Sequence, residues 1–507
     1  EVCETLPNRS ARLTKAYQKI AYFRGVELYN DNRKEDAFQL FGKAIEIESD
    51  YKIKALANFW RAEIYLDRKN WDQAVANYEA FLSNPMAQQT DEYELGYYGA
   101  GYALFQKEKY IEAAYYFEKY IKSSGENTKI TKDAILRLGD CSFILKDYAK
   151  AISSYDRIIF GKYTGSDYAL FQKGIIQGLQ NQFKEKLASH QQLLNDYPKS
   201  IYADDALYEI AYTNFITNNV NEARTGFGEV LTKYPESSYA PKALLNTGLM
   251  YYNMSDDSNA LFVYKKLVSS YPRSDEAQEG LQAIKNIYVE KGNTDEFFAY
   301  SKTVPFANYT TANQDSVSYK AANNRYLRND CEGAVPAFSR YLERFGEGAF
   351  AIDAHYQRAE CLIKSKELAA AAADLKYIID KEKNRYTEKS LLNYSRVLIA
   401  QNRSADAIEY LKQLENDAEY KASYAYAIVK LMKAYEVKGD LDNANDYAHK
   451  IIDFEKSSSE DINRAQLTLG KVFLAKADTT KALDKFKLLV SSTKTISGAE
   501  AKYLIAA

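Results

Sequence analysis

Polar and apolar positions along this chain recur in units spaced 35 to 39 residues apart. Each unit is marked by a small residue: Gly25, Ala62, Gly101, Gly139, Gly174, Ala211, Gly248, Ala322, Ala359, Ser395 and Gly470. Twelve residues later comes alanine (Ala37, Ala74, Ala113, Ala151, Ala223, Ala260, Ala334, Ala371, Ala407 and Ala482), with Lys186 as the exception. Four residues further an aromatic is common: Phe41, Tyr78, Phe117, Tyr155, Phe227, Tyr264, Phe338 and Phe486. Looser units around Lys285/Phe297 and Met432/Ala444 bring the number to thirteen. Small residues let two antiparallel helices approach closely, and the aromatic fills the gap beside the contact. One such pair cannot bury its apolar stripe alone, so neighbours stack and share a core.

The punctuation between units fits helix pairs. Tyr197-Pro198, Tyr234-Pro235 and Tyr271-Pro272 lie 37 residues apart, each followed by a serine: Ser200, Ser237 and Ser274. The proline cannot continue a helix, and the serine is expected to cap the next one. Polar turns such as Asp31-Asn32-Arg33-Lys34 and Lys438-Gly439-Asp440 separate the helices within a pair.

Stretches such as Leu138-Gly139-Asp140 with Asp147-Tyr148-Ala149-Lys150-Ala151 resemble the consensus of the tetratricopeptide repeat family over nearly the whole chain. The resemblance implies an all-α solenoid, a right-handed superhelix of about thirteen helix pairs, that binds proteins. The Tyr-Pro-x-Ser-x-x-Ala linker is similar to cell-envelope members, the TolA-binding protein and the BamD-type lipoprotein. The segment Gln314 to Phe350 resembles large repeat proteins of Bacteroidetes envelopes.

Two stretches depart from the period. After Pro305, Phe306 to Asn313 has no helical spacing. Residues 304–314 therefore read as an ordered connector between a solenoid half at 1–303 and another at 315–507. The last ten residues, Gly498 to Ala507, read as the first helix of a fourteenth pair, so the parent protein is expected to continue.

Composition narrows the function. A chain of 507 residues exceeds one compact core. With only 8 prolines and 22 glycines, a sheet protein rich in tight turns is excluded. A net charge of −2 argues against nucleic acid as the main partner. No apolar run approaches the roughly 18 residues of a membrane span, although a lipid anchor on the parent is compatible with the sequence. The cysteines, Cys3, Cys141, Cys331 and Cys361, are too sparse for a disulfide framework, so buried free thiols are expected. Cys331 and Cys361 do fall in adjacent repeats.

No residue is assigned to catalysis, a cofactor or a metal. His190 occupies the aromatic slot of its repeat, which implies packing, and neither His355 nor His449 has metal-ligand spacing. Gly161-Lys162-Tyr163-Thr164-Gly165-Ser166 lacks the spacing of a phosphate loop and reads as a turn. The binding surface is easier to place. In the family the first helix of each pair lines the concave face. Residues three before, one after and four after the small residue form its stripe. Here that stripe is aromatic at Tyr98, Tyr102 and Phe105 and again at Tyr208, Tyr212 and Phe215, with Tyr319, Tyr326 and Tyr356 as weaker versions. Their richness, in a chain with 45 tyrosines, makes these six the expected protein-binding residues. The lysine–asparagine pair of a chaperone-tail clamp is missing from every unit. The leading expectation is a non-enzymatic scaffold of the periplasm or cell envelope, serving outer-membrane assembly or secretion. A cytoplasmic adaptor, or the substrate-selecting arm of an enzyme, is the alternative.

Overall fold

A computed structural model describes residues 10–125, 128–490 and 495–507 of the chain. Among them all regular structure is helical: twenty-seven α-helices and one short 3-10 turn at Ala87–Gln89. The chain divides into two compact units, Glu1–Asp256 and Asp257–Ala507. The first contains α1 (Ala11–Asn30), α2 (Lys34–Glu46), α3 (Tyr51–Asp67), α4 (Trp71–Leu82), α5 (Tyr93–Gln106), α6 (Tyr110–Ser123), α7 (Lys129–Ile144), α8 (Tyr148–Phe160), α9 (Ser166–Leu179), α10 (Phe183–Asp196), α11 (Ala203–Ile216), α12 (Val220–Lys233) and α13 (Tyr239–Asn253). The second contains α14 (Asp257–Ser270), α15 (Asp275–Lys291), α16 (Thr294–Ser301), α17 (Thr311–Leu327), α18 (Cys331–Phe345), α19 (Ala351–Lys364), α20 (Leu368–Ile379), α21 (Thr387–Ala400), α22 (Ala407–Asp417), α23 (Lys421–Lys438), α24 (Leu441–Asp453), α25 (Ser459–Ala475), α26 (Thr479–Val490) and α27 (Ile496–Ala506).

Odd- and even-numbered helices differ in what they bury. Even-numbered helices hide one narrow stripe: Ala151, Ser154, Tyr155 and Ile158 in α8, and Ala444, Tyr447, Ala448 and Ile451 in α24. The spacing of three and four is that of one helical face against a core. Odd-numbered helices are covered on more sides. In α7 nine residues are buried, from Thr131 to Ser142. Such a helix packs on its own partner and on the preceding pair, and it also touches the next odd-numbered helix, as α3 touches α5 and α23 touches α25.

The small-residue period has a direct structural cause. A Cβ at Gly139 would fall 2.7 Å from Cε1 of Tyr155, and one at Gly25 would fall 2.7 Å from Cε1 of Phe41. The ring sixteen residues along the chain occupies the volume that a side chain would need. His190 fills the same slot against Gly174, fully buried, as its position in the repeat implied. Tyr155 is held further by its hydroxyl, which donates to the buried carboxylate of Asp140 at 2.9 Å. Tyr168 and Arg137 donate to the same group, both at 2.8 Å. Burial pushes the Asp140 carboxyl up, against the lowering effect of these donors.

The turns inside the pairs close in one recurring way. Asn32, Lys69, Glu108, Lys146, Asn181 and Asn218 all have φ near +60°. The residue after each then bonds back to the carbonyl five positions earlier, as Arg33 N–H does to Leu28 O at 2.8 Å. This is the left-handed helix end usually made by glycine; asparagine tolerates it best among other residues. Gly161 to Ser166 is likewise the turn from α8 into α9, with Gly165 at φ +90°.

Three expectations are corrected. Of the linker serines, only Ser274 caps directly, accepting the N–H of Ala277 at 3.1 Å. Ser200 and Ser237 stand just ahead of their helices; each accepts the N–H two residues on, of Tyr202 and Tyr239, at 3.1 Å, and donates to Asp167 and Asp204 of the preceding pair, at 2.7 and 2.6 Å. They tie repeat to repeat. Next, the stretch at 304–314 lies inside the second unit and is shorter than expected. Helix α17 already starts at Thr311, because Thr310 and Asn313 form a reciprocal capping box. Tyr309, just before it, is packed 5.1 Å from the ring of Phe297. Finally, Cys331 and Cys361 are not free thiols. They form a disulfide between α18 and α19, with Cα atoms 5.2 Å apart. Cys141 is a buried free thiol, pushed up to about 12 by burial; Cys3 lies outside the described residues.

Candidate protein-binding face

The six aromatic residues sit on two odd-numbered helices, α5 and α11, at equivalent positions. The structure separates them by depth. Tyr102 and Phe105 are half-buried and Tyr212 is 36% exposed, while Phe215 is half-buried between Tyr212 and Phe227. Tyr208 is buried, at 8% exposure, and does not belong to a surface. Its ring lies 4.6 Å from Tyr239 and 5.9 Å from Phe227, and its hydroxyl accepts from Nδ2 of Asn246 at 3.0 Å. Tyr98 is intermediate, 5.6 Å from Tyr120, with its hydroxyl donating to Asp133 at 2.9 Å. Burial, followed by the Asp133 charge, pushes that phenol up.

One rule accounts for this difference. A tyrosine three residues before the small residue points at the next odd-numbered helix and bonds to it. Tyr98 reaches Asp133, Tyr208 meets Asn246, and Tyr319 donates to Gln357 at 3.1 Å. Tyr356 follows the packing part of the rule, buried and stacked 4.2 Å from Tyr386. In α5 and α11 the tyrosine one after the small residue does not bond to the next odd-numbered helix, and Tyr102, half-buried, and Tyr212, 36% exposed, are the more accessible tyrosines. Spacing on one helix could not reveal this, because the deciding neighbour is the helix of the following repeat.

The group most like a hydrolytic set is in α18–α20, where His355 Nδ1 lies 2.7 Å from Oδ1 of Asp374. Arg358 occupies both oxygens of that carboxylate, at 2.8 and 2.6 Å, and donates to Ser339 Oγ at 2.9 Å. The serine hydroxyl is thus engaged by arginine rather than by histidine, which suits an ion-pair clamp. Among the described residues no three of His, Cys, Asp or Glu are grouped to hold a metal ion, and no helix is long and apolar enough to cross a membrane.

With this geometry in place, the comparisons define the class. The family described as tetratricopeptide repeat matches residues 61–128, 98–167 and 319–384. Residues 203–283, which carry two of the three Tyr-Pro linkers, match YfiO, described as outer membrane lipoprotein. This chain is a tetratricopeptide-repeat protein. No curated protein sequence matches it. Among solved structures, a complex described as Naa15/Naa10 bound to HypK-THB is similar at 12% identity and TM-score 0.40, over 96% of this chain and 77% of that one. The C-terminal part of a repeat protein from Cytophaga hutchinsonii is similar at 16% identity and TM-score 0.42, over 51% of this chain and 99% of that one. A repeat protein from Parabacteroides merdae matches at 15% identity and TM-score 0.27, over 52% and 97% of the two chains.

Proposed function

We propose that the chain is a non-enzymatic scaffold of the cell envelope that holds protein partners on the face of its odd-numbered helices. Tyr102 and Tyr212 are the outward anchors of that face, Phe105 and Phe215 its half-buried flanks, and Tyr98 its edge. Tyrosine suits the role because it offers a large apolar area and a polar tip at little cost in side-chain entropy.

The observation that carries the envelope reading is the Cys331–Cys361 disulfide. Such bonds persist on the oxidising side of a membrane and are rare where thiols are kept reduced. The likeness of residues 203–283 to an outer membrane lipoprotein family supports the same compartment. An assembly or secretion machine would be served by an interaction surface of this kind. The test is made in intact cells, with a photo-crosslinking residue at Tyr102 or Tyr212 and acid-quenched thiol labelling. Crosslinks to an envelope protein are expected, and Cys331 and Cys361 should label only after reduction. Free labelling of both cysteines, with the chain in the cytosolic fraction, would overturn the compartment.

A further inference from the structure

The second unit carries a cluster of basic side chains that nothing in the repeat requires. Arg396 on α21, Lys430 and Lys433 on α23, and Arg464 on α25 come from three successive odd-numbered helices, each touching the next. Arg396 and Lys430 converge on one ring, that of Tyr426, with their charged groups 5.0 and 5.5 Å from its centroid. Among the described residues none of the four is ion-paired to a carboxylate. The carboxylate that acts on Lys430 is Asp461, which is already engaged as an acceptor of the Ser458 hydroxyl at 2.6 Å. Partial burial, then the neighbouring charges of Lys433 and Arg464, lowers the affinity of Lys430 for its proton. Other cations of the unit do have matched partners, for example Lys471 in Glu436 and Glu500 and Lys450 in Glu415.

Unpaired like charges held this close repel one another, and a half-buried ammonium also loses hydration. Bringing in negative charge would relieve both costs. We propose that the α21–α23–α25 face binds an acidic polypeptide segment. This deepens the scaffold reading and rests on it for the kind of partner. Three features favour a peptide over other polyanions. The net charge of −2 supplies no long-range positive field of the sort that draws nucleic acid. Two of the cations, Arg396 and Lys430, lie over an aromatic ring, which suits a partner with apolar as well as acidic side chains. Finally, packed helices lie about 8–10 Å apart, and three residues of extended chain span about 10 Å. A segment with an acidic residue at every third position would meet one helix after another.

The test uses the full chain and a fluorescent synthetic peptide of about twelve residues with glutamate at every third position. A glutamine version, phosphatidylglycerol vesicles and a single-stranded oligonucleotide serve for comparison. Anisotropy should show the glutamate peptide binding at least ~10-fold more tightly than the glutamine one, and weakening at least ~10-fold between about 50 and 300 mM salt. K430Q/K433Q should reduce binding by a similar factor with an unchanged melting curve; R396Q/R464Q provides a second variant should the first fold poorly. Equal binding of the two peptides, no loss in a folded variant, or a preference for vesicles or oligonucleotide would overturn the proposal. Loss of peptide binding with intact crosslinks at Tyr102 removes this inference alone. Cytosolic location with peptide binding intact removes the envelope reading alone.

Discussion

The two compact units build the same helix pair in different ways. In the first, the contact is always filled by a ring: Phe41 on Gly25, Phe117 on Gly101, Tyr155 on Gly139 and His190 on Gly174, with Tyr78 opposite Ala62 and Phe227 opposite Ala211. In the second, a ring fills the slot at Ala322 with Phe338 and Gly470 with Phe486, but leucine replaces it at Ala359 with Leu375 and Ser395 with Leu411. Smaller fillers leave less area buried per pair. The region with the smaller fillers also carries the Cys331–Cys361 bond and the buried Arg358–Asp374 clamp. Packing that is worth less at one contact is offset by covalent and ionic ties nearby, so one architecture tolerates very different side chains.

The largest effect expected from this contrast is at Tyr155. Its truncation to alanine removes a fully buried ring and one donor to Asp140, and should cost about 3–5 kcal/mol in a denaturant melt. Leu375→Ala should fall toward the lower end of about 2–5 kcal/mol; a loss matching that of Tyr155→Ala would erase the distinction between the units. Reducing the disulfide comes next. Opening a crosslink between residues 30 apart should cost about 3–4 kcal/mol, and only the second unit's transition should shift in a calorimetric scan with and without reductant. If both transitions move equally, the bond is not a local tie.

A smaller effect belongs to His190 in the first unit. Burial, with the nearby Lys186 charge, lowers its folded pKa to about 3, while the unfolded side chain titrates near 6.5. Below pH 6.5 the unfolded chain therefore takes up a proton that the folded chain refuses. Stability falls with pH across the window from about 6.5 down to 3, and the loss between pH 7 and pH 5 should be about 2 kcal/mol. His190→Phe, which supplies the ring used at Phe41 and Phe117, should flatten that slope. A slope unchanged in the variant would assign the acid sensitivity elsewhere. The smallest stability change is expected at Tyr102, where alanine should cost about 1 kcal/mol or less while crosslinking to partners is lost. Tyr208→Ala, made alongside, should behave like a core truncation.

Much of this was legible along the chain, because in a solenoid each repeat contacts mainly its neighbours and the pattern is written locally. Helix pairs, their turns and the burial of His190 all follow from spacing on one or two helices. The burial of Tyr208 does not, since it depends on Tyr239 and Asn246 in the following repeat. The basic cluster was hidden for a related reason. Arg396, Lys430, Lys433 and Arg464 are spread over about seventy residues of a nearly neutral chain, and only stacking puts them on touching helices, with Arg396 and Lys430 at the ring of Tyr426.

By itself, then, the sequence determined the repeat, the helical class and which positions face a partner helix, since these depend on periodicity and residue size. Tertiary structure decided which aromatics remain accessible, that Cys331 and Cys361 are close enough to bond, and where positive charge gathers. Those outcomes turn on distances between residues in different repeats, which the packing of one helix on the next sets and the order of residues along the chain does not.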